Sequence, residues 1–166
     1  MIAVSIAQFK RPKWQAIAIF TLAFWLSSSL ILDLVIMPGM YAAGMMNQSG
    51  FASAGYSIFW VFNRIELLCA ALVLTGVLVL HNIQTQSSRD RRLTILLSAV
   101  LLAIALAYTY ALAPTMSTLG LQLNLFEPVA AIPAAMNQMH WGYWILELTK
   151  LAAAGTLLTS LYRSQA

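Results

Sequence analysis

The stretch from Ser57 to Leu80, SIFWVFNRIELLCAALVLTGVLVL, constrains the fold most strongly, because it is long and apolar enough to cross a bilayer yet contains charges. A transmembrane helix needs about 20 predominantly apolar residues. Arg64 and Glu66 lie inside this run, next to Asn63. An unpaired charge near the bilayer centre costs about 2.5–3.5 kcal/mol on insertion scales, so such residues normally face other protein. The rest of the chain must therefore supply their partners.

Composition indicates an integral membrane protein. Hydrophobic residues make up 61% of the 166 residues and charged residues only 8%, against about 25% charged residues in soluble domains. The sequence predicts an all-α, polytopic membrane protein, a four-helix transmembrane bundle that forms one domain over residues 1–166. The predicted helices cover approximately residues 15–38, 56–80, 93–113 and 139–162.

The distribution of lysine and arginine predicts that both termini are cytoplasmic. Seven of the nine basic residues flank the predicted helices on one side: Lys10, Arg11, Lys13, Arg89, Arg91, Arg92 and Arg163. Segments rich in lysine and arginine stay in the cytoplasm. We therefore expect an N-in/C-in topology with residues 81–92 as a cytoplasmic loop. Because topology accounts for the net charge of +4, no nucleic-acid partner is predicted.

Polar and charged side chains inside the predicted helices form a candidate intramembrane network: Asp33, Asn63, Arg64, Glu66, Glu147 and Lys150. At about 1.5 Å per residue, the charges of the second and fourth helices lie at similar depth. Arg64 and Glu66 point about 200° apart, so they cannot share a partner helix. The simplest pairing joins Glu66 to Lys150 and turns Arg64 toward Asp33 or Glu147.

This pairing leaves one carboxylate in excess. Protonation, a water-filled cavity and a partner outside this chain all remain open for it. The network as a whole also has three interpretations: contacts that fix helix packing, a proton or ion path, or a site for a ligand, pigment or partner protein.

The head of the fourth helix carries the candidate ligand-binding residues His140, Tyr143 and Trp144. Thioethers beside an imidazole suit Cu(I), which makes Met136, Met139 and His140 metal candidates in the sequence MNQMH. Methionine is also an ordinary filler of interfacial surfaces, so no metal site is predicted. Bound lipid, chlorophyll or carotenoid stays an open alternative. Motifs of soluble enzymes are absent from the sequence, and no enzymatic activity is predicted.

Three segments that cover most of the chain resemble a known family: FWLSSSLILDLVIMPGMYAAGMM, GFASAGYSIFWVFNRIELL and MNQMHWGYWILELTKLAAAGTLL. They are similar to cyanobacterial members of an uncharacterised four-helix integral membrane protein family, catalogued as a domain of unknown function. Trp25, Pro38 and His140 match best. The resemblance implies a thylakoid or plasma membrane location and a role beside photosynthetic complexes. A related copper-resistance type of domain fits less well, because His81 and His140 are predicted at opposite faces of the membrane.

The leading functional prediction is a non-enzymatic accessory or assembly subunit that packs against a larger membrane complex. It follows from the small soluble surface, the absence of a reaction motif and the many small and aromatic residues available for helix contacts. Its predicted partners are the lipid bilayer and a membrane-protein complex. Two alternatives stay open: a small transporter or proton-coupled channel that uses the buried charges, and a pigment, haem or copper binder.

Overall fold

The computed structural model describes residues 2–45, 50–83, 88–118 and 134–163, and their regular structure is helical. Helix α1 runs over Ile2–Ile31, passes through a π-helical turn at Leu32–Ile36 and continues over Met37–Ala42. Helix α2 is Phe51–Ile83. Helix α3 runs over Ser88–Ala107, passes through a π-helical turn at Tyr108–Leu112 and stays helical over residues 113–118. Helix α4 is Ala134–Arg163.

The prediction of an all-α chain with four helices is confirmed, but each helix extends beyond its predicted bounds. Residues 2–14 are helical rather than a flank, and α4 begins five residues earlier than expected. Residues 81–83 and 88–92 of the predicted cytoplasmic loop are helical, and residues 84–87 lie outside the described residues. The apolar periodicity therefore located the helices well and their ends poorly.

The predicted helices 15–38 and 93–113 end at or just before a proline, but in the structure each proline lies inside a helix and follows a widened turn. Each π turn ends two residues before a proline, Pro38 in α1 and Pro114 in α3. A proline has no N–H, and its ring crowds the carbonyl four residues earlier. In α1 the Met37 N–H bonds to the Leu32 carbonyl five residues back, which widens the turn and makes room for the ring. The chain therefore remains helical past the proline.

The buried positions of each helix recur at alternating spacings of three and four residues. In α2 this stripe consists of Asn63, Glu66, Ala70, Val73, Val77 and Leu80. Such a heptad spacing is typical of left-handed bundles whose helices cross at about 20°. Contacts join α1 to α2, α2 to α3, α3 to α4 and α4 back to α1. The four helices therefore form a closed antiparallel ring.

Hydrogen bonds show which parts of the chain share an end of the bundle. Gln15 Nε2 donates to the Leu161 carbonyl at 2.7 Å, and His81 Nε2 lies 2.8 Å from Thr94 Oγ1. The start of α1, the end of α4 and the connection between α2 and α3 thus meet at one end, here called the terminal end. The opposite end, called the loop end, contains Asp33 and Asn63.

A closely packed apolar core fills the terminal half of the bundle. Its fully buried members are small or branched, among them Ala18, Leu22, Ala70, Val73, Leu101 and Leu157. A Cβ added to Gly76 would lie 3.3 Å from Ala18 Cβ, so α1 and α2 approach closely at this level. Cys69 is buried in the same core.

The outer surface of the bundle is also apolar. Large side chains such as Phe20, Leu34 and Leu68 are more than 60% exposed, whereas several charged residues are buried. In the described residues, three segments are long and apolar enough to cross a membrane: Lys13–Ala42, Ser53–Asn82 and Arg89–Thr118. Helix α4 has 30 residues and is not among these three segments.

Candidate functional site

The loop half of the bundle encloses a cluster of charged side chains, here called the charge cluster: Asp33, Glu66, Glu147 and Lys150. Each is at most 7% exposed. Asp33 comes from the π turn of α1, Glu66 from the inner stripe of α2, and Glu147 and Lys150 from one face of α4. The ring of antiparallel helices thus brings residues far apart in sequence to one level.

Lys150 is the cation of the charge cluster and contacts two carboxylates. Its Nζ lies 2.5 Å from Glu66 Oε1 and 2.7 Å from Glu147 Oε2. The predicted contact between Glu66 and Lys150 is therefore present. Glu147 and Lys150 are three residues apart, which places them on the same helix face. Lys150 Nζ also lies 5.4 Å from the centroid of the Tyr108 ring.

Glu66 accepts further hydrogen bonds from α1. Trp25 Nε1 donates to Glu66 Oε1 at 2.8 Å, and Ser29 Oγ donates to the same oxygen at 3.2 Å. Neither residue was predicted as part of the site. The available signal is their spacing, because Trp25, Ser29 and Asp33 follow one another at four-residue intervals and so lie on one face of α1.

Two tyrosines bind the remaining carboxylates. Tyr143 Oη donates to Asp33 Oδ1 at 2.6 Å, and Tyr108 Oη donates to Glu147 Oε2 at 3.1 Å. Their ring centroids are 5.3 Å apart. The other oxygen of Glu147, Oε1, is buried and has no hydrogen-bond partner in the described part of the chain. Tyr143 was predicted as a ligand-binding residue, whereas Tyr108 was not predicted as part of the site.

Arg64 does not belong to the charge cluster, so its predicted pairing with Asp33 or Glu147 is wrong. Its side chain is exposed, Nη1 donates to the Trp60 carbonyl at 3.0 Å, and its guanidinium carbon lies 3.4 Å from the centroid of the Trp60 ring. Because Arg64 lies two residues from the inward-facing Glu66, it points out of the bundle. Among the described residues, no carboxylate forms an ion pair with it.

Asn63 is buried but contacts backbone rather than the charges. Its Nδ2 donates to the carbonyl of Tyr108 at 3.4 Å. Thr109 Oγ1 donates to the Ala105 carbonyl at 2.8 Å and lies 3.4 Å from the Asn63 carbonyl. The contacts of Asn63 tie α2 to the π turn of α3. The predicted network therefore divides into four clustered charges, one amide that holds the backbone, and one exposed arginine.

The candidate ligand residues at the head of α4 differ in burial, and Tyr143 is half-buried. His140 and Trp144 are exposed, although the Trp144 ring contacts the Tyr143 ring with centroids 6.0 Å apart. The side chain of Met136 lies outside the described residues. His81 is at the terminal end, far along α2 from the charge cluster. Over the ranges that the structure describes, no three His, Cys, Asp or Glu residues are placed to hold a metal ion.

The chemistry available to the charge cluster is proton and cation binding. Three carboxylates against one ammonium leave a formal charge of −2 if every group is ionised. Taking such charges out of water costs several kcal/mol per ion unless they are paired and hydrogen-bonded. The indole, the hydroxyls and the ammonium of the site supply those hydrogen bonds in part.

Comparison with known proteins gives no further guide to this chemistry. No family model, no curated protein and no solved structure matches the chain. The resemblance to a cyanobacterial membrane protein family therefore stays a prediction.

Proposed function

We propose that the protein is a non-enzymatic integral membrane subunit that docks onto a larger membrane complex through the face of α2 that carries Arg64. The position of Arg64 carries this proposal. It lies about 16 Å along α2 from the start of the candidate span Ser53–Asn82, on the outside of the bundle. It is also level with the charge cluster, two residues from Glu66.

The surroundings of Arg64 define the chemistry of the partner. The neighbouring outward side chains Val61, Ile65 and Leu68 are exposed and apolar, so lipid or another hydrophobic helix covers them. A lone charge at this depth in lipid costs about 2.5–3.5 kcal/mol. The carboxylates of the charge cluster are directed to the inside of the bundle. The partner that best relieves Arg64 is a transmembrane helix of another protein that carries a carboxylate at the same depth.

The proposal includes four membrane crossings with both termini in the cytoplasm. The charges of α4, Glu147 and Lys150, face inward, whereas Ile145 and Leu148 are exposed at 62% and 64%. Its outer surface is therefore apolar enough to meet lipid, which supports α4 as the fourth crossing. The basic flanks at the terminal end support a cytoplasmic location for that end.

Cysteine labelling tests this topology. In a Cys69→Ala background, a cysteine at Met45 should react with a membrane-impermeant maleimide in intact cells, and a cysteine at Arg163 should react only after permeabilisation. The reverse pattern would invert the bundle. A location beside photosynthetic complexes rests on the family resemblance alone, and separation of thylakoid from plasma membranes would test it.

The docking proposal predicts a charge-dependent complex. On native gels in mild detergent, the wild-type chain should migrate well above its own 18.2 kDa. Arg64→Gln should release the free chain, and Arg64→Lys should keep part of the complex because it retains the charge. Arg163→Gln is the matched control, since Arg163 is an exposed arginine at the end of α4.

A photocross-linker at Leu68 separates a protein partner from lipid. The proposal expects a protein adduct that disappears with Arg64→Glu and returns when the facing carboxylate of the partner is changed to arginine. Adducts with lipid only, or a protein adduct indifferent to the charge at position 64, would contradict it. So would migration of the wild-type chain only as the free species.

A second candidate function, a small proton-coupled transporter or channel, is supported by the charge cluster itself. Buried ionisable groups in membrane helices commonly mark proton or ion paths. Purified protein in liposomes should then conduct protons or a coupled solute, and Glu66→Gln or Lys150→Met should abolish the flux. Flux that survives both substitutions would remove the charge cluster from such a mechanism.

A further inference from the structure

The carboxylates of the charge cluster differ in how well they are bound. Glu66 Oε1 accepts from Lys150, Trp25 and Ser29. Glu147 Oε2 accepts from Lys150 and Tyr108. Glu147 Oε1, by contrast, is buried with no donor among the described residues. A buried carboxylate oxygen that has no hydrogen-bond donor destabilises the folded state.

Asp33 is the other carboxylate that reaches this face of α4. Tyr143, which bonds to Asp33, lies four residues before Glu147 and therefore one turn away on the same helix face. Asp33 Oδ1 already accepts from Tyr143 Oη at 2.6 Å. Two ionised carboxylates only accept hydrogen bonds and repel each other. If one of the two carries a proton, that group becomes a hydrogen-bond donor, and the formal charge of the charge cluster falls from −2 to −1.

We propose that Asp33 and Glu147 form a proton-binding site in which the two carboxyl groups share one proton at neutral pH. Adjacent carboxyl groups of aspartic proteases share one proton because like charges held close together do not both ionise. Here a single ammonium faces three buried carboxyl groups. A proton also needs no cavity, which suits a closely packed bundle. The site is independent of the docking face, because Arg64 points away from it.

The groups that face this pair from all four helices leave the proton in place. Helix α1 contributes the indole of Trp25 and the hydroxyl of Ser29, both bonded to Glu66 of α2. From α3 and α4 the neighbours are Tyr108, Tyr143 and Lys150. Lys150 is the only cation in this set, and it is already divided between Glu66 and Glu147. It therefore cannot neutralise Asp33 as well.

Infrared spectroscopy of the purified full-length protein tests the proposal directly. A protonated carboxyl group gives a carbonyl stretch that is separate from the carboxylate bands and shifts in D2O. The wild type should show this band at neutral pH, and Asp33→Asn and Glu147→Gln should each remove it, because either change leaves one carboxyl group that no longer needs the proton. Asp90→Asn, at the exposed start of α3, should keep it.

Absence of the band from the wild type would overturn the proposal. Persistence of the band in both Asp33→Asn and Glu147→Gln would also overturn it, because the proton would then reside elsewhere, for example on Glu66.

The pH dependence of stability provides a second measurement. If the native state holds a proton that the unfolded state releases at neutral pH, stability falls as the pH rises. Glu147→Gln keeps an oxygen for Lys150 and Tyr108 and gains an amide N–H that can donate to Asp33. Its unfolding midpoint should therefore fall less than that of the wild type between neutral and mildly alkaline pH. Equal slopes for the two proteins would contradict the shared proton.

Discussion

Removal of Lys150 should destabilise the bundle more than removal of Glu66. Lys150→Met leaves both Glu66 and Glu147 without the ammonium that lies 2.5 and 2.7 Å from them. Breaking a buried ion pair by deleting one member costs about 3–5 kcal/mol, and we expect Lys150→Met to lie in that range. Glu66→Gln leaves Lys150 paired with Glu147, and the amide oxygen still accepts from Trp25 and Ser29. Glu66→Gln should therefore lower the free energy of unfolding by about 1.5–3 kcal/mol, the contribution of one hydrogen bond to a charged group.

The double substitution decides whether these losses arise from one contact. With Glu66 neutral, Lys150→Met strands one carboxylate instead of two, so the double variant should be more stable than the sum of the single losses by about 0.5–3 kcal/mol. Reversible unfolding in detergent or in a bilayer gives the four free energies of the cycle. Arg64→Met with Glu66→Gln is the control pair, and it should be additive within about 0.5 kcal/mol. A loss for Glu66→Gln equal to that for Lys150→Met, or additivity in the test pair, would refute the assignment.

Two further substitutions examine the supports of the charge cluster. Trp25→Phe keeps an aromatic ring and removes the donor to Glu66, so the free energy of unfolding should fall by about 1.5–3 kcal/mol. The control Trp144→Phe, on the exposed face of α4, should change it by no more than about 0.5 kcal/mol. Equal losses would show that the indole hydrogen bond to Glu66 does not stabilise the bundle. Gly76→Leu should lower the free energy of unfolding by at least about 1–3 kcal/mol, because it overpacks the contact of α1 with α2. Gly155 has open space around it, so Gly155→Ala should leave this free energy unchanged or raise it by up to about 1 kcal/mol. A tolerated Gly76→Leu would show that the two helices can separate.

Regular helical geometry explains why part of the site could be predicted. Depth along an α-helix grows by a fixed rise per residue. Equal distances from the loop end of the second and fourth helices were therefore enough to match Glu66 with Lys150. The same geometry put Arg64 about 200° from Glu66, yet Arg64 was assigned a partner inside the bundle. The three- and four-residue spacing of Asn63, Glu66 and Ala70 would have corrected this, because it leaves Arg64 outside the buried stripe.

Other parts of the site depend on tertiary contacts that a single sequence does not show. Trp25 and Tyr108 look like packing or interfacial aromatics, and they become donors only when a second helix places a carboxylate 2.8 or 3.1 Å away. The helix ends at the two prolines were predicted wrongly for a related reason. Pro38 forbids a regular backbone hydrogen bond, but whether the chain stops or widens its turn is decided by packing around it.

Two of the four helices contain a π turn, and the other two do not. Helices α2 and α4, which hold Glu66, Glu147 and Lys150, are continuous, whereas α1 and α3 are each interrupted at the level of the charge cluster and occupy diagonal corners of the ring. Widened turns and prolines are where helices bend. Bending at these hinges would displace Asp33 and Tyr108 while the ion pair of Lys150 with Glu66 stayed fixed. Opening of the loop end could thus expose the carboxyl pair to water without dismantling the ion pair beside it.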